Sequence, residues 1–340
     1  MAITRRTING RSVNPVGLGC MSLSWAYGRP PSEEDASRLL LRALDLGYDH
    51  FDTARLYGLG HNEELIGKTL SHRRSEFFLA SKTGLIVDGD RRRADSRPET
   101  IRQQLEISLR LLKTDHIDLY YLHRRDFNTP IEDSVGTLAD LVKEGKIGAI
   151  GLSEMSADTL RKASAVHPIA AMQTEYSLMT RNPEIAVLEA CRELGTTFVS
   201  FSPVGRGPLA ASIGEPTELP EHDIRRSMPR FMGANWEHNR PLFEAFFALA
   251  KREGVTPAQL CMAWVLSRGD HVVTIPGTSR IDHMEENIAR WDWEISKDLA
   301  AEAEALINRH TIAGARYPVQ MQDTVETEVY PDEVLEPQPA

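Results

Sequence analysis

The chain has 340 residues, 41% hydrophobic and 26% charged, which is ordinary for a globular protein and enough for one large core. Its formal net charge of −10 argues against the broad basic surface that coats nucleic acid or anionic membrane, so the expected partners are small molecules. Cys20, Cys191 and Cys261 lack the paired spacing of a zinc or redox site, and no run approaches the roughly 18 apolar residues of a membrane helix; a soluble cytoplasmic protein without bound metal is expected.

Residues 2–14 read as a β-hairpin around Asn9-Gly10, a dipeptide that tolerates the positive φ of a tight two-residue turn. From Val16 onward, short apolar runs alternate with amphipathic segments at intervals of roughly 25 to 40 residues, the rhythm of βα units. Strands are expected at 16–19, 49–52, 77–81, 117–122, 147–152, 171–174, 197–201 and 272–275. Helices are expected near 33–46, 62–70, 98–112, 131–144, 156–165, 184–194, 239–268 (as two) and 280–291. Ser32, with Asp35 three residues on, starts the first. Ile101, Leu105, Leu109 and Leu112 mark one face of the helix 98–112, with Ser96-Arg97-Pro98-Glu99 as its capping box.

Strands buried on both faces suit a closed α/β barrel, the (β/α)8 TIM barrel, better than an open doubly wound sheet. One domain over 1–340 is expected, with the hairpin 2–14, the barrel 16–310 and a tail 311–340. Gly17-Leu18-Gly19 lies inside a strand with no helix behind it, so it reads as close packing and any nucleotide must bind without that glycine fingerprint. Arg91-Arg92-Arg93, after Asp88 and Asp90, reads as a solvated loop. The connection 203–238 is long, rich in Gly and Pro, and follows the seventh strand on the same rim; a loop of that length in a compact domain is usually a functional lid or disordered. In the irregular tail, Ala315-Arg316-Tyr317-Pro318 could fold over the same rim, while the acidic end Asp332–Pro337 reads as mobile.

Three strands end in groups that carry chemistry. The apolar strand closing on Phe51 ends in Asp52, with Tyr57 five residues later; Phe77–Ser81 runs into Lys82, and Ile117–Leu122 into His123. At the C-terminal ends of barrel strands such residues converge on one cavity. Taken singly each has a bland explanation: a strand-end cap, a rim aromatic, a solvated amine, a satisfied imidazole. Together they suit protonation of an oxygen on which negative charge develops, because a nearby ammonium and imidazole favour a phenolate that is otherwise formed only near pH 10. Asp52 would keep Lys82 charged and fixed. The set holds no hydride source of its own.

The motif Gly47-Tyr48-Asp49-His50-Phe51-Asp52-Thr53-Ala54, with Tyr57-Gly58 and Asn62-Glu63-Glu64 behind it, closely resembles the signature of the aldo-keto reductases. So do Ser81-Lys82, Asp118-Leu119-Tyr120-Tyr121-Leu122-His123-Arg124 and Gly151-Leu152-Ser153, in order, over residues 3 to 310. The resemblance is to the bacterial and fungal oxidoreductase-like branch, related to potassium-channel β subunits.

By that resemblance Tyr57 is the general acid, Lys82 lowers its pKa, Asp52 pairs with Lys82, and His123 orients a substrate carbonyl. The resemblance also implies a nicotinamide dinucleotide lying extended across the rim. Ser153 and Gln173 would hold its carboxamide, Phe201 would stack on the nicotinamide, and Ser202, Pro203, Val204 and Arg206 belong to the loop along the pyrophosphate. Many relatives carry Asn after the serine; this chain has Glu154, which cannot donate a hydrogen bond when ionised. Gly277, Thr278, Ser279, Arg280, His283, Glu286 and Asn287 match the segment around the adenosine end, with Arg280 suited to a 2′-phosphate and hence to NADPH over NADH.

Met21, Trp25, Tyr27, Arg124, Arg230 and Phe231 are the candidate walls of the substrate pocket, whose aromatic and Met content favours apolar or bulky carbonyl compounds. The expected activity is reversible NADPH-dependent reduction of an aldehyde or ketone. The alternative is a nucleotide-carrying regulatory subunit with little turnover. A barrel glycosidase lacks a second strand-end carboxylate to oppose Asp52.

Overall fold

The computed structural model describes residues 3–88, 91–322 and 324–334. β1 (Arg6–Ile8) and β2 (Arg11–Val13) form the expected hairpin, with Asn9 at φ 48° and Gly10 at φ 75°, as a two-residue I′ turn requires. Thr197 at the start of a barrel strand donates to the Thr7 carbonyl at 2.9 Å, and Ile8 and Val13 pack among barrel side chains. The hairpin therefore closes the N-terminal end of the barrel.

The main sheet contains eight parallel strands: β3 (Leu18–Gly19), β4 (His50–Asp52), β5 (Phe78–Thr83), β8 (Leu119–Leu122), β9 (Ile150–Ser153), β10 (Ile169–Glu175), β11 (Thr197–Phe201) and β12 (Val272–Ile275). They pair in that order, and parallel bridges from Val16 to Thr274 and from Gly19 to Gly277 close β3 onto β12. A Cβ on Gly19 would lie 2.7 Å from the Ile275 carbonyl oxygen, so close packing is indeed what the Gly17-Leu18-Gly19 segment does.

Strand alternation carries the fold into the site. Phe78 and Ala80 of β5, Leu119 and Tyr121 of β8, Ala171 of β10 and Val199 of β11 make one interior cluster. With a side-chain period of two, Lys82, His123, Gln173 and Phe201 continue the same inward rows toward the C-terminal rim. Gly151 leaves room for this filling, since a Cβ there would lie 2.3 Å from the Tyr121 ring.

The helices are α1 (Glu33–Asp45), α2 (His61–Leu70), α3 (Pro98–Leu112), α4 (Ile131–Lys143), α5 (Ala157–Val166), α6 (Val187–Leu194), α7 (Gly233–Arg252), α8 (Pro257–Leu266), α9 (Ile281–Ile288) and α10 (Lys297–Leu306). Ser32 caps α1 by accepting from the Asp35 amide. Ile101, Leu105 and Leu112 of α3 are buried together with Leu109, each worth roughly 1.5–3 kcal/mol relative to exposure. Among the described residues no helix is long and apolar enough to cross a membrane.

Four sequence expectations need correction. The cap of α3 is not the Ser96 box: Ser96 Oγ pairs with Ser134 Oγ, and Asp95 accepts from Thr100 Oγ1 and the Arg97 amide instead. Arg91-Arg92-Arg93 is not a loop but part of a strand, β7 (Arg91–Ala94), paired antiparallel with β6 (Leu85–Asp88). Helix α7 begins at Gly233 rather than 239 and runs through Pro241. Helix α10 went unread although Ser296 caps it and Leu299, Ala300 and Ala303 mark its buried face.

The connection 203–238 is a chain of short 3-10 turns ahead of α7. The tail returns over the rim: the Glu326 amide donates to the Glu154 carbonyl at 2.9 Å, the Tyr330 hydroxyl donates to the Arg181 carbonyl at 3.1 Å, and Arg309 pairs with Asp332. Of the end expected to be mobile, Asp332 is held by Arg309, while 335–340 lies outside the described residues.

Candidate active site

Lys82 is not the residue after a strand, as the sequence suggested, but lies inside β5, where it is 1% exposed. Its ammonium has three hydrogens and three acceptors: Asp52 Oδ1, the Thr53 carbonyl at 2.8 Å and the Tyr57 hydroxyl at 3.2 Å. Asp52, the last residue of β4, takes Gln173 Nε2 on its other oxygen at 2.7 Å. A buried ion pair is costly unless its remaining lone pairs and protons are also satisfied, and here they are.

Tyr57 is delivered by the turn after β4. Residues Tyr57–Gly60 form a tight 3-10 stretch in which Gly58, Leu59 and Gly60 all take positive φ. Gly60 takes φ 102°, a conformation that strains any residue with a Cβ, so glycine suits it. The Tyr57 ring meets His123 edge-on at 5.7 Å and lies near-parallel to Trp25 at 6.4 Å. His123 follows β8 directly, so the four predicted residues are brought together at one rim.

Burial sets the electrostatics. It pushes the Tyr57 phenol up, and although Lys82 pulls it down, the net direction is above the ordinary value. The sequence reading, in which Lys82 lowers this pKa, thus describes one contribution and not the balance. Burial alone would lower the Lys82 ammonium, but Asp52 and Tyr57 reverse that and raise it. Burial, then Arg124, Lys82 and Arg92, holds His123 well below the ordinary imidazole range, which keeps the ring neutral.

A cavity of about 1140 Å³ opens above these residues. It is lined by Gln173, Phe201, Ser202, Pro203, Val204 and Arg206 and, across the rim, by Gly277, Thr278, Ser279, Arg280 and His283. Ser153, Glu286 and Asn287 are not on its wall; Ser153 Oγ accepts from Arg124 at 3.3 Å and Asn287 is buried in α9. Met21, Trp25, Tyr27 and Arg124 line the cavity as expected. Phe231 and Arg230 do not: Phe231 is buried against Trp236, and Arg230 donates to Thr180 Oγ1 and the Gly314 carbonyl. Burial lowers Arg230 to about 10.

Other lining residues went unread. Ser22 follows β3 with a buried hydroxyl that has no hydrogen-bond partner among the described residues, and Arg92 comes from the strand β7, read as a loop. Met321, Thr324 and Val325 join Tyr317 from the tail. Glu154, at φ 55°, is buried, is not among the residues lining the cavity, and pairs with Arg316. Glu175, also paired with Arg316, binds Arg206, which additionally donates to the Tyr27 and Tyr317 hydroxyls. This buried network ties the rim loop and the tail to β9 and β10.

Residues 15–308 match the sequence profile of the Aldo/keto reductase family. The chain is 41% identical over 325 residues to "Aldo-keto reductase yakc [NADP(+)]" of Schizosaccharomyces pombe, covering 94% of this chain and 95% of that one. It is 42% identical over 311 residues to "Probable aldo-keto reductase 1" of Glycine max, covering 91% and 89%. Among solved structures it resembles the glycerol dehydrogenase AKR11B4 of Gluconobacter oxydans, with a TM-score of 0.82 and 26% identity over 98% of this chain and 100% of that one. With the match spanning most of a barrel that gathers Asp52, Tyr57, Lys82 and His123 at one rim, the chain belongs to the aldo/keto reductase family, oxidoreductases of small carbonyl compounds.

Proposed function

We propose that this chain reduces an aldehyde or ketone to the alcohol, reversibly, using NADPH, with Tyr57 as the proton donor. The observation that carries the reading is the Lys82 ammonium shared between Asp52 and the Tyr57 hydroxyl at the floor of the cavity.

The residues present fit a nicotinamide dinucleotide. Phe201 offers a partly exposed ring to the cavity, and the Ser22 hydroxyl and Arg206 Nε on its wall are buried polar atoms without partners among the described residues. Gln173, Phe201, Ser202, Pro203, Val204, Arg206 and Gly277–Arg280 would hold the cofactor, with His283 beside them; Ser153, Glu286 and Asn287 would need to act from behind the wall. When bound, the reduced nicotinamide supplies the hydride. The S. pombe relative carries NADP(+) in its name, which supports the phosphorylated form.

The chain's own residues do the rest. The raised pKa keeps Tyr57 protonated at neutral pH, so a proton is available when the substrate oxygen becomes basic. Lys82 then stabilises the phenolate left behind, at the moment charge appears. Neutral His123 can donate one N–H to the carbonyl oxygen and hold it toward Tyr57. Tyr57 would give its proton to that oxygen, which with the hydride supplied by the bound nicotinamide leaves the alcohol.

The regulatory-subunit alternative is not favoured, because the relatives named above are reductases or a dehydrogenase. A steady-state screen of aldehydes, dicarbonyls and bulky ketones with NADPH tests the reading. Consumption of NADPH with stoichiometric alcohol supports it; no turnover on the whole panel contradicts it.

A further inference from the structure

The cavity wall carries an uneven set of arginines. Arg206, Arg225 and Arg280 each pair with a carboxylate, from Glu175, Asp223 and Asp282 respectively. Arg92, Arg124 and the exposed Arg29 pair with none among the described residues, although the chain as a whole is acidic; of these three, Arg92 and Arg124 lie beside His123. Arg124 is fixed by its own neighbours, with Nη1 donating to the His123 carbonyl at 2.7 Å and to Ser153 Oγ at 3.3 Å. Arg92 is held on an aromatic face, its guanidinium carbon 3.9 Å from the centre of the Trp25 ring, which in turn lies over Tyr57.

Both cations thus flank the two residues that would face the reacting oxygen. They are also near enough to repel each other: burial, then Arg124, lowers the pKa of Arg92. Two like charges drawn together at a cavity wall with no acidic partner are stabilised by an anion between them. The adenosine end of the cofactor does not supply it, because β8, which leads to Arg124, lies four strands from β12, across the barrel from Arg280.

We propose that Arg92 and Arg124 form an anion subsite beside His123, and that the carbonyl substrates of this chain carry a carboxylate. This rests on the reductase reading above and deepens it. It also reverses the sequence expectation of an apolar substrate: Met21, Trp25 and Tyr27 supply the apolar wall, and the strand β7, read as a solvated loop, supplies a charge facing it.

The test compares 4-formylbenzoate with its methyl ester, two aldehydes of nearly equal size that differ in charge. The wild-type protein is expected to show a KM lower for the acid, and Arg92→Met or Arg124→Met to raise the KM of the acid roughly 10- to 100-fold with a smaller change in kcat, so that the preference collapses. Arg92→Lys, which keeps the charge, is expected to recover part of it. Equal KM values in the wild type, or a preference unchanged in both Met variants, would overturn the subsite.

Quenching of tryptophan fluorescence by benzoate, with benzamide as the neutral control, reads the same site without turnover. If neither aldehyde is reduced, the reductase reading fails on its own, and benzoate binding that is lost in Arg92→Met would still establish the anion subsite. Benzoate and benzamide binding alike would remove it.

Discussion

Arg316 reaches in from the C-terminal segment and grips Glu154, at the end of β9, with both terminal nitrogens, one of them at 3.0 Å. Their side chains are 4% and 0% exposed, so this tail contact is part of the interior. Replacing Arg316 by Ala leaves a buried carboxylate without its counter-charge, which typically costs about 3–5 kcal/mol. Urea denaturation should show a loss of that order; a loss below about 1 kcal/mol, the value of a surface pair, would mean the tail is not docked this way.

The same network predicts an acid response. Burial pushes the Glu175 carboxyl up, but Arg206 and Arg316 outweigh it and hold it at about 2, against an ordinary 4.5. A depressed carboxyl stabilises the fold fully above its unfolded pKa, and the contribution disappears as pH falls from about 4.5 toward about 2. Glu175→Gln should therefore be less stable at neutral pH yet show a shallower loss across that window. Equal slopes for variant and wild type in pH-dependent urea titrations would refute the assignment.

Two helical glycines should respond with opposite signs. Gly136 in α4 has open space where a Cβ would go, so Gly136→Ala should stabilise by roughly 0.5–1 kcal/mol through helix propensity. Gly67 in α2 would place its Cβ 2.1 Å from the Leu111 carbonyl oxygen, so Gly67→Ala should force α2 from α3 and destabilise by about 1–3 kcal/mol or more. Thermal melts of the pair check whether the α2–α3 approach is as close as described.

The barrel and its four strand-end residues were legible because each strand is short, apolar and regular. Once Phe78 and Ala80 face inward, Lys82 must as well, and the same reasoning carries Tyr121 to His123. Partners distant in sequence left no such trace: nothing in Glu154, Glu175, Arg206 or Arg316 read singly announces that they share one buried network. Phe231 shows the limit for loops, where an aromatic has no periodicity to say whether it faces a cavity or, as here, Trp236. Arg92 was misread because a run of three arginines resembles a solvated loop, whereas pairing of β6 with β7 lays its guanidinium on Trp25.

Arg280 now pairs with Asp282 in an exposed position, a contact that yields readily to a stronger anion. If it receives a 2′-phosphate, Arg280→Ala should weaken NADPH roughly tenfold or more and leave NADH nearly unchanged. Asp282→Asn, which removes the competing carboxylate, should tighten NADPH. Fluorescence titration with both nucleotides decides; equal affinities unaffected by Arg280→Ala would exclude the assignment.

The central claim is that the Tyr57 hydroxyl, held by Lys82, gives the proton. Stopped-flow single-turnover reduction of one accepted aldehyde by Tyr57→Phe, with nucleotide saturation verified by titration, tests it most directly. The expected result is a fall of about 10²- to 10⁴-fold in the rate of NADPH oxidation, with the nucleotide still bound. A rate equal to that of the wild-type protein would contradict the account.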